Sequence, residues 1–173
     1  QVLAANLTGS YNNAMGDQAL LSNQSGSDNI AIGSASLGNS ISGAQNIAIG
    51  SNSLTNNLTG SSQIAIGFNA LTAATSTIGN IAIGQQALGA TNWGGDYNTA
   101  IGYLAMANNS TGTQNVAVGA LALQTNATGT QNTAIGYSSL GLNRGGNRNT
   151  AVGYNTLSAN TLGSYNEAFG YAA

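Results

Sequence analysis

The apolar and polar positions of this chain recur with a fixed period. "N-I-A-I-G" begins at Asn29 and again at Asn46, seventeen residues later. Aligned on the closing Gly, the register runs Gly16, Gly33, Gly50, Gly67, Gly84, Gly102, Gly119, Gly136, Gly153, Gly170. Every step is seventeen except Gly84 to Gly102, which is eighteen. The consensus is N-x-T-G-x-x-N-x-A-I-G-x-x-A-L-x-x. Ala stands two before the Gly in all ten copies, and the next position is always apolar, from Met15 through Ile32 and Ile49 to Phe169. Four after the Gly comes Leu in eight copies and Met106 in one.

The segment N-x-A-I alternates with period two and holds β-branched residues, which predicts a strand. Gly recurs too often for helices, and seventeen residues are too few for a helix-turn-helix repeat. Such a unit cannot hold a core alone. Fixing each backbone residue costs ~1–2 kcal/mol, while a buried Ile or Leu returns only ~1.5–3 kcal/mol. Stability requires stacking, so that each Ile lies on the Ile of the copies above and below. The fold class is therefore all-β, a parallel β-solenoid of ten 17-residue coils forming one repeat domain over residues 1–173. Coils ~4.8 Å apart make a rod of roughly 48 Å. One strand is expected on N-x-A-I and a second short strand or extended segment on x-A-L. An Ile column, a Leu column and small alanines would fill a thin two-layer roll. The structural positions singled out are Ala31, Ile32 and Gly33, then Ala48, Ile49 and Gly50, with Asn46 and Asn132. The unvaried Ala column (Ala31, Ala48, Ala65, Ala82, Ala100) implies close approach of another backbone or face.

Punctuation is equally periodic. The "A-I-G" Gly and the "T-G" Gly seven residues earlier are both expected at corners with φ > 0. Asn precedes x-A-I-G in nine copies, with Gln63 in the fourth. A second Asn column holds Asn6, Asn23, Asn57, Asn92, Asn109, Asn126, Asn143 and Asn160. Stacked amides can hydrogen-bond up the rod as ladders. Two places depart from the pattern. Thr77 replaces the "T-G" Gly in the fifth copy, with Gly79 close by. The connection from Gly89 to Asn98 carries the extra residue and the only Trp, Trp93, which should bulge outward while Ile83 and Ile101 stay stacked.

Composition narrows the chemistry. Two arginines, four acids, no lysine and no histidine leave 3% charged residues, against roughly 25% in ordinary domains. A net charge of −2 offers no basic surface for nucleic acid. No apolar run approaches the roughly 20 residues of a membrane span, so no membrane insertion of this segment is expected. With no Cys or His, thiolate and imidazole chemistry is absent. Asp17, Asp28, Asp96 and Glu167 occupy four different columns and form no carboxylate pair of the kind a glycosidase needs. No catalytic residue, metal site or cofactor is expected. Arg144 and Arg148 flank one turn and could meet an anionic partner. Phe68, Tyr103, Tyr137, Tyr154 and Tyr171 share the column after the Gly, and Tyr11, Tyr97 and Tyr165 share another. Trp93, Tyr97, Tyr103, Tyr137, Tyr154 and Tyr171 are the candidate surface-binding residues, because aromatic faces stack on sugar rings; the competing reading is that they stack on one another or on a neighbouring chain. Sequons at Asn6, Asn23, Asn57, Asn108, Asn109 and Asn126 arise mostly because the turn consensus matches N-x-T.

At "NIAIGSAS", "NTAIGYLA", "NVAVGALA" and "NTAIGYSS" the chain resembles the head repeats of YadA-like trimeric autotransporter adhesins. It is also similar to repeats of bacteriophage tail fibres. The resemblance covers essentially the whole chain. It implies a left-handed β-roll, three chains side by side, display on a bacterial surface or a virion tail fibre, and binding to a host-surface glycan or protein. The seventeen-residue coil is longer than the usual adhesin head repeat, and no neck, stalk, anchor or chaperone segment is present. Both ends fall inside a repeat, so the chain reads as an excerpt of a longer array. The function expected is a non-catalytic, extracellular structural or adhesive fibre segment acting as a homotrimer or homopolymer. The alternatives are a self-assembling filament whose coils stack head to tail and an ice-binding solenoid. The latter wants a regular Thr face, whereas the best Thr column (Thr8, Thr59, Thr111, Thr128) is interrupted by Ser, Gly and Leu162.

Overall fold

The computed structural model describes residues 1–90 and 95–173. Ten three-residue strands follow one another among these residues. They are β1 (Asn13–Met15), β2 (Ile30–Ile32), β3 (Ile47–Ile49), β4 (Ile64–Ile66), β5 (Ile81–Ile83), β6 (Thr99–Ile101), β7 (Val116–Val118), β8 (Thr133–Ile135), β9 (Thr150–Val152) and β10 (Glu167–Phe169). They form one parallel sheet in sequence order. Its register joins identical columns, for example Ile30↔Ile47, Ala31↔Ala48 and Ile32↔Ile49. The molecule is a β-solenoid of about nine turns, with coils of about seventeen residues. No helix occurs among the described residues.

The stacking is as expected, but the isoleucines are not inside. Ala31, Ala48, Ala65, Ala82 and Ala100 are fully buried, while the residues on either side of each are more exposed. A three-residue strand sends its middle side chain to one face and its two ends to the other. The interior therefore receives Ala, and the flanking Ile residues form two ladders on the outer face. The core consists of this Ala column and the fully buried Leu20, Leu37, Leu54, Leu71, Leu88, Met106, Leu123 and Leu140, with the Ala that precedes some of these leucines. Close approach across a narrow coil explains why only Ala occupies the strand centre.

The segment x-A-L is not a second strand. It is a run of tight turns, with Ala19 N–H donating to Gly16 O (3.2 Å), Leu21 N–H to Gln18 O (3.3 Å) and Asn23 N–H to Leu20 O (3.3 Å). Gln18 and Leu20 take φ of 59° and 48°. Each later coil repeats the geometry, including Leu37 at 50° and Leu54 at 50°. Left-handed backbone costs a non-Gly residue ~1–2 kcal/mol. Full burial of the Leu side chain contributes ~1.5–3 kcal/mol and offsets it.

The two Gly columns differ in kind. Gly50 has φ 126°, and a Cβ there would lie 2.7 Å from Gly67 O. The expectation of positive φ fails for the "T-G" column, because Gly43 does not adopt it. Gly43 is needed for closeness instead: a Cβ would sit 2.5 Å from Gly60 O in the next coil.

The extra residue leaves the core unshifted, with Ile83 paired to Ile101. Inter-coil bonds from Leu71 N–H to Ala87 O and from Ala90 N–H to Ala107 O step by sixteen and seventeen residues. The insertion therefore lies after Ala90 and before Ala107. Ile78 N–H reaches Asp96 Oδ1 at 2.9 Å, so it is absorbed before Asp96. Thr91, Asn92, Trp93 and Gly94 lie outside the described residues.

Candidate functional site

The rod's inner polar structure accounts for most of its asparagines. In the first column Asn46 donates from its backbone N–H (3.0 Å) and from Nδ2 (3.1 Å) to Asn29 Oδ1, and again from Nδ2 to Gly60 O (2.9 Å). Asn132 repeats this toward Asn115 Oδ1 and Gly146 O. Each side chain clamps three coils, and all hydrogen-bonding groups of a buried amide are used. In the second column Asn126 Nδ2 reaches Asn109 Oδ1 at 2.9 Å, and Asn143 Nδ2 reaches Asn126 Oδ1 at 2.8 Å. These asparagines are structural. The sequons at Asn23, Asn57, Asn109 and Asn126 have fully buried side chains, whereas Asn108 is exposed.

What remains for recognition is the outer surface, which has three distinct strips. The first is the outer sheet face. In β2 to β5 it presents Ile at both outward positions; from β6 onward the first becomes Thr99, Val116, Thr133, Thr150 and finally Glu167. The shorter Thr shields its neighbour less, so Ile101 and Ile135 are more exposed than Ile32, Ile49, Ile66 and Ile83. No charge interrupts this face until β10.

The second strip is aromatic. Tyr137 and Tyr154 stack with centroids 5.3 Å apart and planes 12° apart; Tyr154 and Tyr171 follow at 5.1 Å and 7°. Parallel coils in register impose this spacing. Tyr103 shares the column but is separated from Tyr137 by Ala120, and no ring stack involves it. Tyr97 lies elsewhere, at φ 57°, with its ring over Gly79, where a Cβ would meet Cδ1 at 2.8 Å. That contact explains Gly79. Tyr97, Tyr103, Tyr137, Tyr154 and Tyr171 therefore do not converge on one site, and Trp93 lies outside the described residues.

The third strip was visible in the sequence only as an isolated basic turn. Arg148 Nε donates to Gln131 Oε1 at 2.8 Å and Nη1 to Tyr165 OH at 2.6 Å. Its guanidinium carbon lies 5.4 Å from the Tyr165 ring centroid. The signal that reveals this grouping is columnar: Gln114, Gln131, Arg148 and Tyr165 each stand five before their Gly.

Among the described residues no three of His, Cys, Asp and Glu are grouped to hold a metal. The four acids are dispersed: Asp96 caps the Ile78 N–H, and Glu167 ends the outer face. No helix among the described residues is long and apolar enough to cross a membrane.

These features define a parallel β-solenoid repeat protein. No protein-family model matches the chain, and neither a curated protein nor a solved structure matches it.

Proposed function

We propose that this chain is a non-catalytic fibre segment, displayed outside the cell on a bacterial surface or a virion, that presents a binding surface and works as a homo-oligomer. The observation that carries the reading is the outer sheet face, where one outward column is apolar from Met15 to Phe169 and the other adds Ile in β2 to β5, along a rod with almost no charge. At ~4.8 Å per coil and ~7 Å of strand per column, these apolar positions cover on the order of 400 Å². That is at the scale of the largest patch an ordinary monomer exposes, and copies packed side by side would cover it. The resemblance to trimeric adhesin heads favours three chains. A β-solenoid also suits a fibre mechanically, since every coil is tied to its neighbours by backbone and amide ladders.

Sedimentation of the intact protein, with electron microscopy of the assembly, tests this. A closed oligomer of side-by-side rods is expected, and Ile49→Glu, which places a charge on the outer face, should dissociate it without unfolding the coils. Long end-to-end filaments would favour the self-assembling alternative, and a stable dispersed monomer would overturn the oligomeric reading.

A further inference from the structure

The strip around Arg148 has properties that the packing of the rod does not use. Gln131, Arg148 and Tyr165 sit at φ of 58°, 55° and 61°. Their backbone N–H groups bond to Thr113 O, Thr130 O and Asn147 O in the preceding coils. This geometry fixes three side chains in a row on one corner. Gln131 Nε2 extends the row by donating to Gln114 Oε1 at 3.2 Å. Beside the row runs the column of Thr130, Asn147 and Ser164, and together the two columns line a groove of about 280 Å³. The groove spans three coils.

The hydrogen-bond inventory of this groove leans toward donors. A guanidinium carries five N–H donors; Arg148 uses Nε and one on Nη1, which leaves Nη2 untouched. Gln131 accepts from Arg148 and has spent one N–H on Gln114, so it retains an N–H. Asn147 Oδ1 accepts from the Thr130 backbone N–H and hydroxyl, and one of its N–H groups bonds Gly145 O, so it too retains a donor. Ser164 Oγ accepts from the Asn147 N–H and keeps its own hydrogen, as does Tyr165 OH. Free donors outnumber free acceptors, the latter being lone pairs on Thr130, Ser164, Tyr165 and Gln131, and the only formal charge in the groove is the Arg148 guanidinium. Arg148 has no carboxylate partner, since the one ion pair among the described residues involves Asp17 and not an arginine. Two neutral groups and a ring face hold the guanidinium still, and a held guanidinium is suited to two-point recognition of a carboxylate.

We propose that this groove binds a carboxylate-bearing sugar, with Arg148 Nη2 and the free Nη1 hydrogen on the carboxylate and Asn147, Ser164, Tyr165 and Gln131 donating to ring hydroxyls. The polar lining disfavours an apolar ligand. The groove's size, at the small end for ligand sites, suits one sugar unit. Phosphate groups are ordinarily met by several cations or a run of backbone N–H groups; here one guanidinium faces the groove. The inference deepens the adhesive reading by naming a ligand class. It is tested separately, because the assembly state is decided by sedimentation without any sugar.

The experiment is a titration of the isotopically labelled full chain with D-glucuronate, following the Arg148 Nε–H and Tyr165 ring resonances by NMR. Glucose and acetate serve as the neutral-sugar and bare-carboxylate probes. Saturable shifts centred on Arg148, Asn147, Ser164 and Tyr165 are expected with glucuronate, and at least about tenfold weaker binding with either control. Arg148→Gln should weaken glucuronate about tenfold or more while the strand resonances stay in place, and Arg144→Gln should leave it unchanged. Absence of saturable shifts in the unmodified chain would overturn the proposal. So would acetate or glucose binding as well as glucuronate, or an equal loss in Arg144→Gln, which would mark a diffuse charge effect.

Discussion

Ser40 interrupts the second amide ladder, and replacing it with Asn should stabilise the rod. In the unbroken stretch Asn126 Nδ2 donates both to Asn109 Oδ1 (2.9 Å) and to Gly129 O (2.9 Å), and Asn143 repeats the pattern one coil on. At the equivalent place in the third coil, Ser is too short to reach. Asn23 Oδ1 and Ser40 Oγ are buried and have no hydrogen-bond partner, and Asn57 Nδ2 bonds only Gly60 O. Asn at position 40 would donate to Asn23 Oδ1 and Gly43 O and accept from Asn57 Nδ2. Relieving a buried orphan acceptor is worth ~1–3 kcal/mol, and each added bond nets ~0.5–1.5 kcal/mol. Ordering the longer side chain takes back up to ~1 kcal/mol. The expected gain is about 2 kcal/mol, or ~4–8 °C in melting temperature for a chain of this length. Circular dichroism melts and urea titrations would measure it. Because repeat arrays need not unfold in one step, hydrogen exchange at the amides of the second to fourth coils should show the gain locally. Ser40→Ala is the control: deleting an unpartnered hydroxyl should be neutral or mildly stabilising. An unchanged or lower melting point for Ser40→Asn, with local protection unimproved, would refute the ladder argument.

Other substitutions probe the remaining columns. Ala100→Leu puts a large side chain at a fully buried strand centre between Ala82 and Ala117 and should cost ~1–3 kcal/mol through overpacking; a neutral melt would mean the coil has spare room. Asn115→Ala removes the acceptor of the Asn132 backbone N–H and side chain and the donor to Gly129 O, so a loss of about 3 kcal/mol in urea titration is expected. Ala35→Gly, at φ 55°, relieves left-handed strain and should raise stability by up to ~1 kcal/mol; a lower melting temperature would show that Gly's unfolded-state entropy outweighs that strain.

The repeat made the architecture legible because every column is counted ten times. Strand position, parallel register, coil number and both amide ladders follow from spacing alone. The orientation of the strand did not. N-I-A-I-G alternates equally well with Ile or Ala inward, and hydrophobicity favours Ile. Only the cramped distance across the coil, set by the leucines of the opposing turns, selects Ala. The turns were hidden for a related reason: x-A-L looks extended, and no sequence signal marks a Leu held at φ near 50° by burial. The Arg148 groove was partly legible. In sequence Arg148 shares a turn with Arg144, whereas its working partners Gln131 and Tyr165 are one full coil away in either direction. In a solenoid, column neighbours rather than sequence neighbours make a site.

The corner at the fourth and fifth coils shows how far the ladder can be rewired while its polar groups remain paired. Three positions depart from consensus together: Gln63 for Asn, Ala74 for Asn and Thr77 for Gly. Ala74 takes away the amide that would have donated to Asn57 Oδ1. Gln63, one methylene longer than Asn, reaches across and supplies that bond from Nε2 at 3.2 Å. Its Oε1 then turns toward Thr77, whose hydroxyl donates at 2.9 Å, and Asn80 Nδ2 approaches the same oxygen at 3.4 Å. All three residues are fully buried, so an unmatched change at any one would strand a polar group at ~1–3 kcal/mol. The Ser40 corner made a single departure and carries two orphan atoms; this corner made three and carries none. The difference follows from reach: Ser shortens the ladder with nothing to span the gap, whereas Gln63 lengthens one rung to meet what its neighbours gave up. Recognition surfaces on such a rod can therefore diverge column by column, as the Arg148 strip does, so long as the buried amides keep every partner.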